Sequence, residues 1–526
     1  MHSDGAALVL ALSLGALGAY AQRPNGPLSL NFASTVDHSQ QPYALYLPPD
    51  FDRDTTYPLL VSLHSEESTH RLNFRQLFGA STPFSAVDPL DPRFYPVARD
   101  VEYIVAFPLA RGTIGYQGIA EDDVYDMLAD VERRYSIDVD RVFLTGVSMG
   151  GGGALWYALT RPDIWAAVAA LAPAAPPDAE ALAMNAFNLP VRLLQGLQDP
   201  IVAAHSSRDW QRKFEEAGVA VRYFEYPSVR HDIWSVVYKR GAIFDWFSEI
   251  KRNLNPERVR FVANCYRYSS AYWVRIDGLT PGTPAIIDAR RASAAQITVA
   301  TQNVDGFTLS AHEPATSIVI NGTAIRLKAG APLSFMRTGA QWRAQRYVSA
   351  GKRAGSEGPI AAAFTGTPIY VYGAGAAASA EHAAKWTNGA RVLADSAVTA
   401  ADVEGSDAIL FGTEQTNSVI AHLSHDLPLH LNPGAADYGL LFIAPAGAHY
   451  VVINSGLPWW TGASEINRGG DRFAPEPYRL VSTFGDYILF KGSLANVIAE
   501  GRFDSNWRVP PEAAAKMRAT GTVTIR

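Results

Sequence analysis

The sequence predicts an α/β chain: a doubly wound, mostly parallel sheet, then a small all-β unit, then a second α/β unit. Three observations lead there. Strand-length apolar runs alternate with helical patterns from about residue 40 to 250. A glycine-flanked serine stands between one such strand and the helix after it, at Thr145-Gly146-Val147-Ser148-Met149-Gly150-Gly151. Beyond the linker signal Asn253-Leu254-Asn255-Pro256 the pattern becomes short alternating runs split by turn residues.

Strands are expected at 42–47, 58–63, 102–107, 142–146, 166–171, 191–195 and 221–226. Helical periodicity fills 121–135, 153–160, 208–217 and 235–250. Glu121, Asp122 and Asp123 open the first of these helices, where carboxylates favour the dipole. Two stretches, 65–100 and 111–118, read as long irregular loops beside strand ends, the usual place for specificity. Within them Glu66, Glu67 and His70 lie close in sequence but match no metal-ligand spacing.

From 258 to 342 the segments at 272–276, 296–299 and 317–320 alternate apolar and polar residues. Asn321-Gly322 follows the last as a hairpin signal, and Asn321-Gly322-Thr323 is also formally a glycosylation sequon. From 358 strands (368–373, 408–412, 439–444, 450–455, 487–491) alternate with helices (379–386, 414–423), which suggests a flavodoxin-like or half-Rossmann layer. Tyr372-Gly373-Ala374-Gly375 resembles a dinucleotide loop but lacks its third glycine and a placed acidic residue, so it reads as a turn. The resulting spans are 1–21, 22–252, 253–345 and 346–526.

The serine motif is G-x-S-x-G in a strand–turn–helix context. A nucleophilic serine on so sharp a turn needs neighbours without side chains, which Gly146 and Gly150 supply. The other members follow in the order an α/β-hydrolase uses. Asp199 stands after the strand ending near Gly196, and His231 in the loop after 221–226. In this reading His231 is the general base and acid, and Asp199 holds its tautomer. Asp232, next to His231, is the competing orienter, but a sequence neighbour cannot easily reach the far ring nitrogen. The oxyanion donors expected are the N–H of Met149 and one from Ser65 or Glu66, after the strand ending in Leu63-His64. Tyr116 and Trp234 are candidates to stack on a substrate, with ordinary packing as the competing reading.

With these residues in view, the span 40–250 resembles the hydrolase domain of the prolyl oligopeptidase family. It is also similar to secreted esterases of the feruloyl-esterase and polyhydroxybutyrate-depolymerase kind. The resemblance rests on Leu63-His64, the segment 112–123, the serine turn, the segment 196–202 and His231 to Trp234. It departs at His64-Ser65, where the family has His-Gly, and in having too few residues ahead of the domain for a propeller. The resemblance implies a serine hydrolase working through an acyl-enzyme, without cofactor or metal.

Composition agrees. The chain has 526 residues, 48% of them hydrophobic, and a formal charge of −6, with no basic cluster to hold nucleic acid. Residues 6–20 form an apolar stretch too short to span a bilayer, and Ala19-Tyr20-Ala21 fits a signal-peptide cleavage site, so a secreted or periplasmic protein is expected, free of the membrane after cleavage. The single cysteine, Cys265, allows no internal disulfide and lies in an apolar run where burial is its expected fate. The expected activity is cleavage of a carboxylic ester or peptide bond in a small or polymeric substrate. An esterase on polysaccharide or polyester without peptidase activity is the alternative, and a non-catalytic carbohydrate- or surface-binding protein is the alternative of another class.

Overall fold

An eight-stranded sheet carries the first half of the chain in this computed structural model, which describes residues 28–526 apart from 79–100, 239–240, 294, 311–315, 328–331, 386–389, 471 and 474–477. The expected signal segment and most of the 65–100 loop therefore lie outside the described residues. In chain order the elements are β1 (Leu28–Ala33), β2 (Gln40–Tyr46), β3 (Tyr57–Leu63), α1 (His70–Leu77), β4 (Ile104–Pro108), α2 (Ile119–Arg134), β5 (Ile137–Val147) and α3 (Met149–Thr160). Then come β6 (Ala167–Leu171), β7 (Val191–Gly196), α4 (Ala204–Glu216), β8 (Val221–Tyr226), α5 (Trp234–Val237) and α6 (Ala242–Ser248).

The strand order is β1-β2-β4-β3-β5-β6-β7-β8, antiparallel through β1, β2 and β4 and parallel from there on. The chain steps to opposite sides of β3 when it lays down β4 and then β5. That reversal opens a crevice at the strands' C-terminal ends, where open α/β sheets place their sites. Both faces are covered, which is why the central strands read as unbroken apolar runs. Leu59, Val61 and Leu63 pack with α2, α3 and α4; Leu60, Phe143 and Val147 pack with α1, α5 and α6.

Several boundaries differ from the sequence reading. β1 was not expected, because its Leu-Ser-Leu-Asn-Phe-Ala pattern is that of a half-exposed edge. The 65–100 loop contains α1, capped by Thr69 and tied to β3 by Asn73, whose side-chain amide donates to the Ser62 carbonyl at 2.8 Å. The helix expected over 235–250 is divided between α5 and α6, with Gly241 at φ +68° opening the second. A 3-10 stretch, Pro177–Asn188, had no periodicity to announce it.

Residues beyond 257 form two further units. Two five-stranded sheets share one core, with Phe261, Trp273, Ile287, Phe307 and Phe335 buried between them. The Asn321-Gly322 signal closes a two-residue hairpin between Ser317–Ile320 and Thr323–Arg326, both residues at positive φ (+49° and +83°). Farther on, a seven-stranded sheet is parallel across Val392–Ala394, Ile369–Tyr372, Ala408–Phe411 and His449–Gly456. It then continues antiparallel through Tyr438–Ala446, Tyr487–Lys491 and Val497–Gly501. A flavodoxin-like layer would be parallel throughout, so that expectation is corrected: a tight turn of two residues joins Ala446 to His449 and forces antiparallel pairing there. The Gly373–Gly375 segment is a turn held shut, Ala374 N–H donating to the Thr416 carbonyl at 2.8 Å.

The units are joined by buried polar contacts. Asn185 exchanges two hydrogen bonds with the backbone of Val262 (2.7 and 3.0 Å), and Val262 and Phe473 both belong to the core beneath α3. Lys352 and Asp486 form a fully buried ion pair in the third unit.

Candidate active site

Ser148 sits between β5 and α3 with φ +57° and ψ −117°, a left-handed backbone that a side-chain-bearing residue rarely adopts. The turn is held from several directions. Ser148 N–H donates to the Leu171 carbonyl (2.9 Å), and the Ser148 carbonyl accepts from Gly152 and Ala174 (2.9 and 3.0 Å). A Cβ on Gly146 would overlap the Gly150 carbonyl, and one on Gly150 would overlap the Leu63 carbonyl. The motif's glycines are therefore set by space, as expected.

Asp199 and His231 meet. The His231 ring nitrogen Nδ1 lies 2.7 Å from Asp199 Oδ2, with the Asp199 side chain fully buried and the His231 side chain 23% exposed. Asp199 is itself fixed. Its Oδ1 accepts from the Ile201 and Val202 N–H groups (2.8 and 2.9 Å), and Gln195 Nε2 donates to Oδ2 at 3.3 Å. This leaves Nε2 of His231 as the ring atom available for chemistry. Asp232 is exposed, and among the described residues the His231 ring pairs with Asp199.

Met149 is the first residue of α3, so its N–H is one of the first-turn amides without a partner inside the helix. Ser65 lies after β3 on the other side of the crevice. Its carbonyl accepts from Ser68 N–H (3.0 Å) and faces His64 Nδ1 at 2.8 Å. The other ring nitrogen of His64 lies 2.9 Å from the Leu109 carbonyl, so this buried imidazole bridges the loops after β3 and β4. Burial holds its basicity below the ordinary histidine value, against the pull of the two carbonyls.

Of its two readings, Tyr116 takes the packed one and not the substrate-stacking one. It is 3% exposed, its hydroxyl donates to the His64 carbonyl (3.1 Å), and its ring lies where a Cβ of Gly153 would be. Packed on α3, it supports the site from below and offers no free face to a substrate. Trp234 begins α5 and is partly buried against the core on the β8 side.

Sequence reasoning missed Arg111. Ala110 and Arg111 both have positive φ (+46° and +63°), directly after β4. Arg111 is held there by Asp37 (2.7 Å), Asp123 and Ser34 (2.9 Å). The Asp37 carboxyl is driven well below its usual range, chiefly by the Arg111 hydrogen bond. Thus Asp123, expected only to favour a helix dipole, fixes the strained loop that leads to Tyr116. No local pattern announces a contact between residues 37, 111 and 123.

Among the described residues no group of His, Cys, Asp and Glu could hold a metal ion. Cys265 is pushed up to about 12 by burial, far from a reactive thiolate.

The family match bears on the first unit. No curated protein matches the sequence. A thermostable esterase structure is similar over 44% of this chain and 64% of its own, at 22% identity and TM-score 0.35. The S-formylglutathione hydrolase of Staphylococcus aureus is similar over 42% of this chain and 96% of its own (19% identity, TM-score 0.33). Dipeptidyl peptidase 4 of Porphyromonas gingivalis is similar over 43% of this chain and 36% of its own (15% identity, TM-score 0.33). The esterase family model matches residues 38–221, the span from β2 to the start of β8.

Proposed function

We propose that the protein is an exported serine hydrolase that cleaves carboxylic esters through an acyl-enzyme on Ser148. The observation that carries the reading is the 2.7 Å contact between His231 Nδ1 and a buried Asp199, with Ser148 held in a strained turn at the start of α3. Export is supported by the apolar stretch 6–20 and the Ala19-Tyr20-Ala21 site.

The chemistry runs as follows. His231 Nε2 takes the Ser148 proton as Oγ attacks the acyl carbon. The imidazolium is stabilised by Asp199, and the developing oxyanion is met by the Met149 N–H and a donor from the Ser65 loop. The leaving alcohol receives its proton from His231. Water then repeats the sequence on the acyl-enzyme and releases the acid. Ester is preferred to peptide because the matching family model is that of esterases.

Two measurements test this. A fluorophosphonate probe labels the wild type and leaves Ser148→Ala unlabelled. In a panel of nitrophenyl esters, feruloyl esters and prolyl peptides, the esters are turned over and the peptides are not. Absence of labelling overturns the mechanism; faster cleavage of prolyl peptides replaces the esterase reading with a peptidase.

A further inference from the structure

We propose that a groove in the third unit binds an amphiphilic cation, an ammonium group carried on an aliphatic chain. The groove has a volume of about 820 Å³. All its walls come from residues 395–451, so it stands apart from Ser148, Asp199 and His231. It is bounded by two short helices, Ala400–Glu404 and Ser418–Leu423, and by the turn after Ala446. Pockets of this size with apolar walls and a few polar groups take small ligands.

The walls are aliphatic. Val398, Val403, Val419 and Leu423 are only partly buried against the core of the third unit, and each lines the groove. Leu427 and Val451, buried in the same core, complete the apolar surface. No phenyl, phenol or indole ring lines it among the described residues. A flat aromatic ligand therefore finds nothing to stack on, while an alkyl chain finds hydrocarbon on several sides.

The charges in the lining are of one sign. Asp395, Glu404 and Asp426 are there, with one imidazole, His422, and no Lys or Arg among the described residues. Asp395 is fixed in place: its carboxylate accepts the N–H groups of Ser418 (2.6 Å) and Ser396 (2.9 Å), and the Ser418 N–H holds its pKa below the ordinary range. Glu404 and Asp426 are exposed, and Asp426 faces the His425 ring at 3.3 Å. Arg391 is turned to Asp402, outside the lining, at 2.8 Å. An anionic head group would meet three like charges, and a neutral one would gain nothing from them. An ammonium group is attracted by all three while its chain lies on the aliphatic walls.

Isothermal titration calorimetry on the full chain tests this at pH 8, above the range in which imidazoles ordinarily charge. The probes are decyltrimethylammonium, decyl sulfate and decyl maltoside, each below its micellar concentration. The cation binds saturably at one site, tenfold or more tighter than either other probe, and its binding weakens as salt is raised. Shortening its chain from ten carbons to eight weakens it about 16-fold, at about fourfold per methylene. Glu404→Lys combined with Asp426→Lys weakens the cation tenfold or more and strengthens the sulfate. Asp50→Lys combined with Asp54→Lys makes the same change of net charge on exposed residues of the first unit and leaves binding as it was. Ala400→Trp puts a large ring on an exposed lining residue and weakens the cation at least tenfold with an unchanged unfolding midpoint. The proposal is overturned if the cation does not saturate, if the sulfate or the maltoside binds as tightly, or if the Glu404 and Asp426 pair leaves the cation unaffected. A loss at Asp50 and Asp54 as large as at Glu404 and Asp426 also overturns it, as adsorption by net charge. So does a chain that sediments as a dimer and becomes monomeric as Ala400→Trp, which would give the groove to a second copy.

Discussion

Tyr268, outside the eight-stranded sheet unit, donates its hydroxyl to Glu121 Oε2 at 2.6 Å, and Trp156 of α3 donates its indole N–H to the same oxygen at 3.0 Å. A buried carboxylate thus ties the helix that follows Ser148 to the next unit of the chain. Removing Tyr268 leaves that carboxylate with one donor fewer in a site where water does not replace it.

A fragment covering residues 22–252 is therefore less stable than the whole chain. It loses the Tyr268 hydroxyl, both Val262 contacts of Asn185, and the Phe473 and Val262 side chains from the core. Each hydrogen bond contributes about 1 kcal/mol, against a total stability of roughly 5–15 kcal/mol. The unfolding midpoint falls by several degrees or more, which calorimetry reads directly. A fragment as stable as the parent would show the junction to be energetically idle.

Burial raises the Glu121 pKa above its ordinary value. The folded state then holds a proton that the unfolded state has released, so stability is full below the unfolded pKa and declines as pH rises from there through the folded pKa. Glu121→Gln removes that contribution. In denaturant titrations from pH 4 upward, the variant loses less stability with rising pH than the wild type. Parallel pH profiles would place the titration on other groups.

Ser148→Ala abolishes turnover while the fold survives, since alanine carries the same Cβ into the strained turn that serine already occupies. The expected drop in kcat is on the order of 10⁴ or more. Steady-state rates on a nitrophenyl ester, together with an unchanged unfolding curve, check it. Retained activity moves the nucleophile elsewhere.

Asp199→Asn and His231→Ala each remove most activity, and adding either to Ser148→Ala costs little more, because residues acting as one unit are not additive. Asp232→Asn has a small effect, its side chain being exposed to solvent. Multiplicative losses, or a deeper loss at Asp232 than at Asp199, would dissolve the unit.

The sequence reading used Gly196 only to mark the end of a strand. A Cβ there would overlap the Arg230 carbonyl, so the end of β7 packs directly on the loop that carries His231. Gly196→Ala pushes that loop outward. Displacement of about 1 Å costs up to about 100-fold in rate. The expected result is a kcat reduced by about 10–100-fold with little change in KM for a small ester. Wild-type kcat would mean the loop has room to yield.

Strands and the serine turn were legible because their determinants are local. Apolar runs mark buried strands, and G-x-S-x-G marks a turn whose neighbours have no room. Asp199 and His231 were legible from residue type and strand end. Arg111 was not, because Asp37, Ser34 and Asp123 approach it only after β1, β2 and α2 are assembled. Tyr116 had two readings, stacking on a substrate or ordinary packing, and local sequence could not decide between them because the seat for its ring is opened by Gly153 on α3. The mixed sheet of the third unit turned on the short connection after Ala446, where a two-residue link outweighs the preceding βα alternation.

The four glycines Gly150 to Gly153 carry a consequence for how the protein fails when warmed. Each is about 1 kcal/mol poorer than alanine in a helix, so the first turn of α3 has little intrinsic reason to be helical. It is kept wound because Leu63, Leu171, Ala174 and Tyr116 each press where a side chain would stand. Every residue of α3 is buried, so that turn unwinds when the neighbours around it let go, and Ser148 and Met149 lose their placement together with the sheet and not ahead of it.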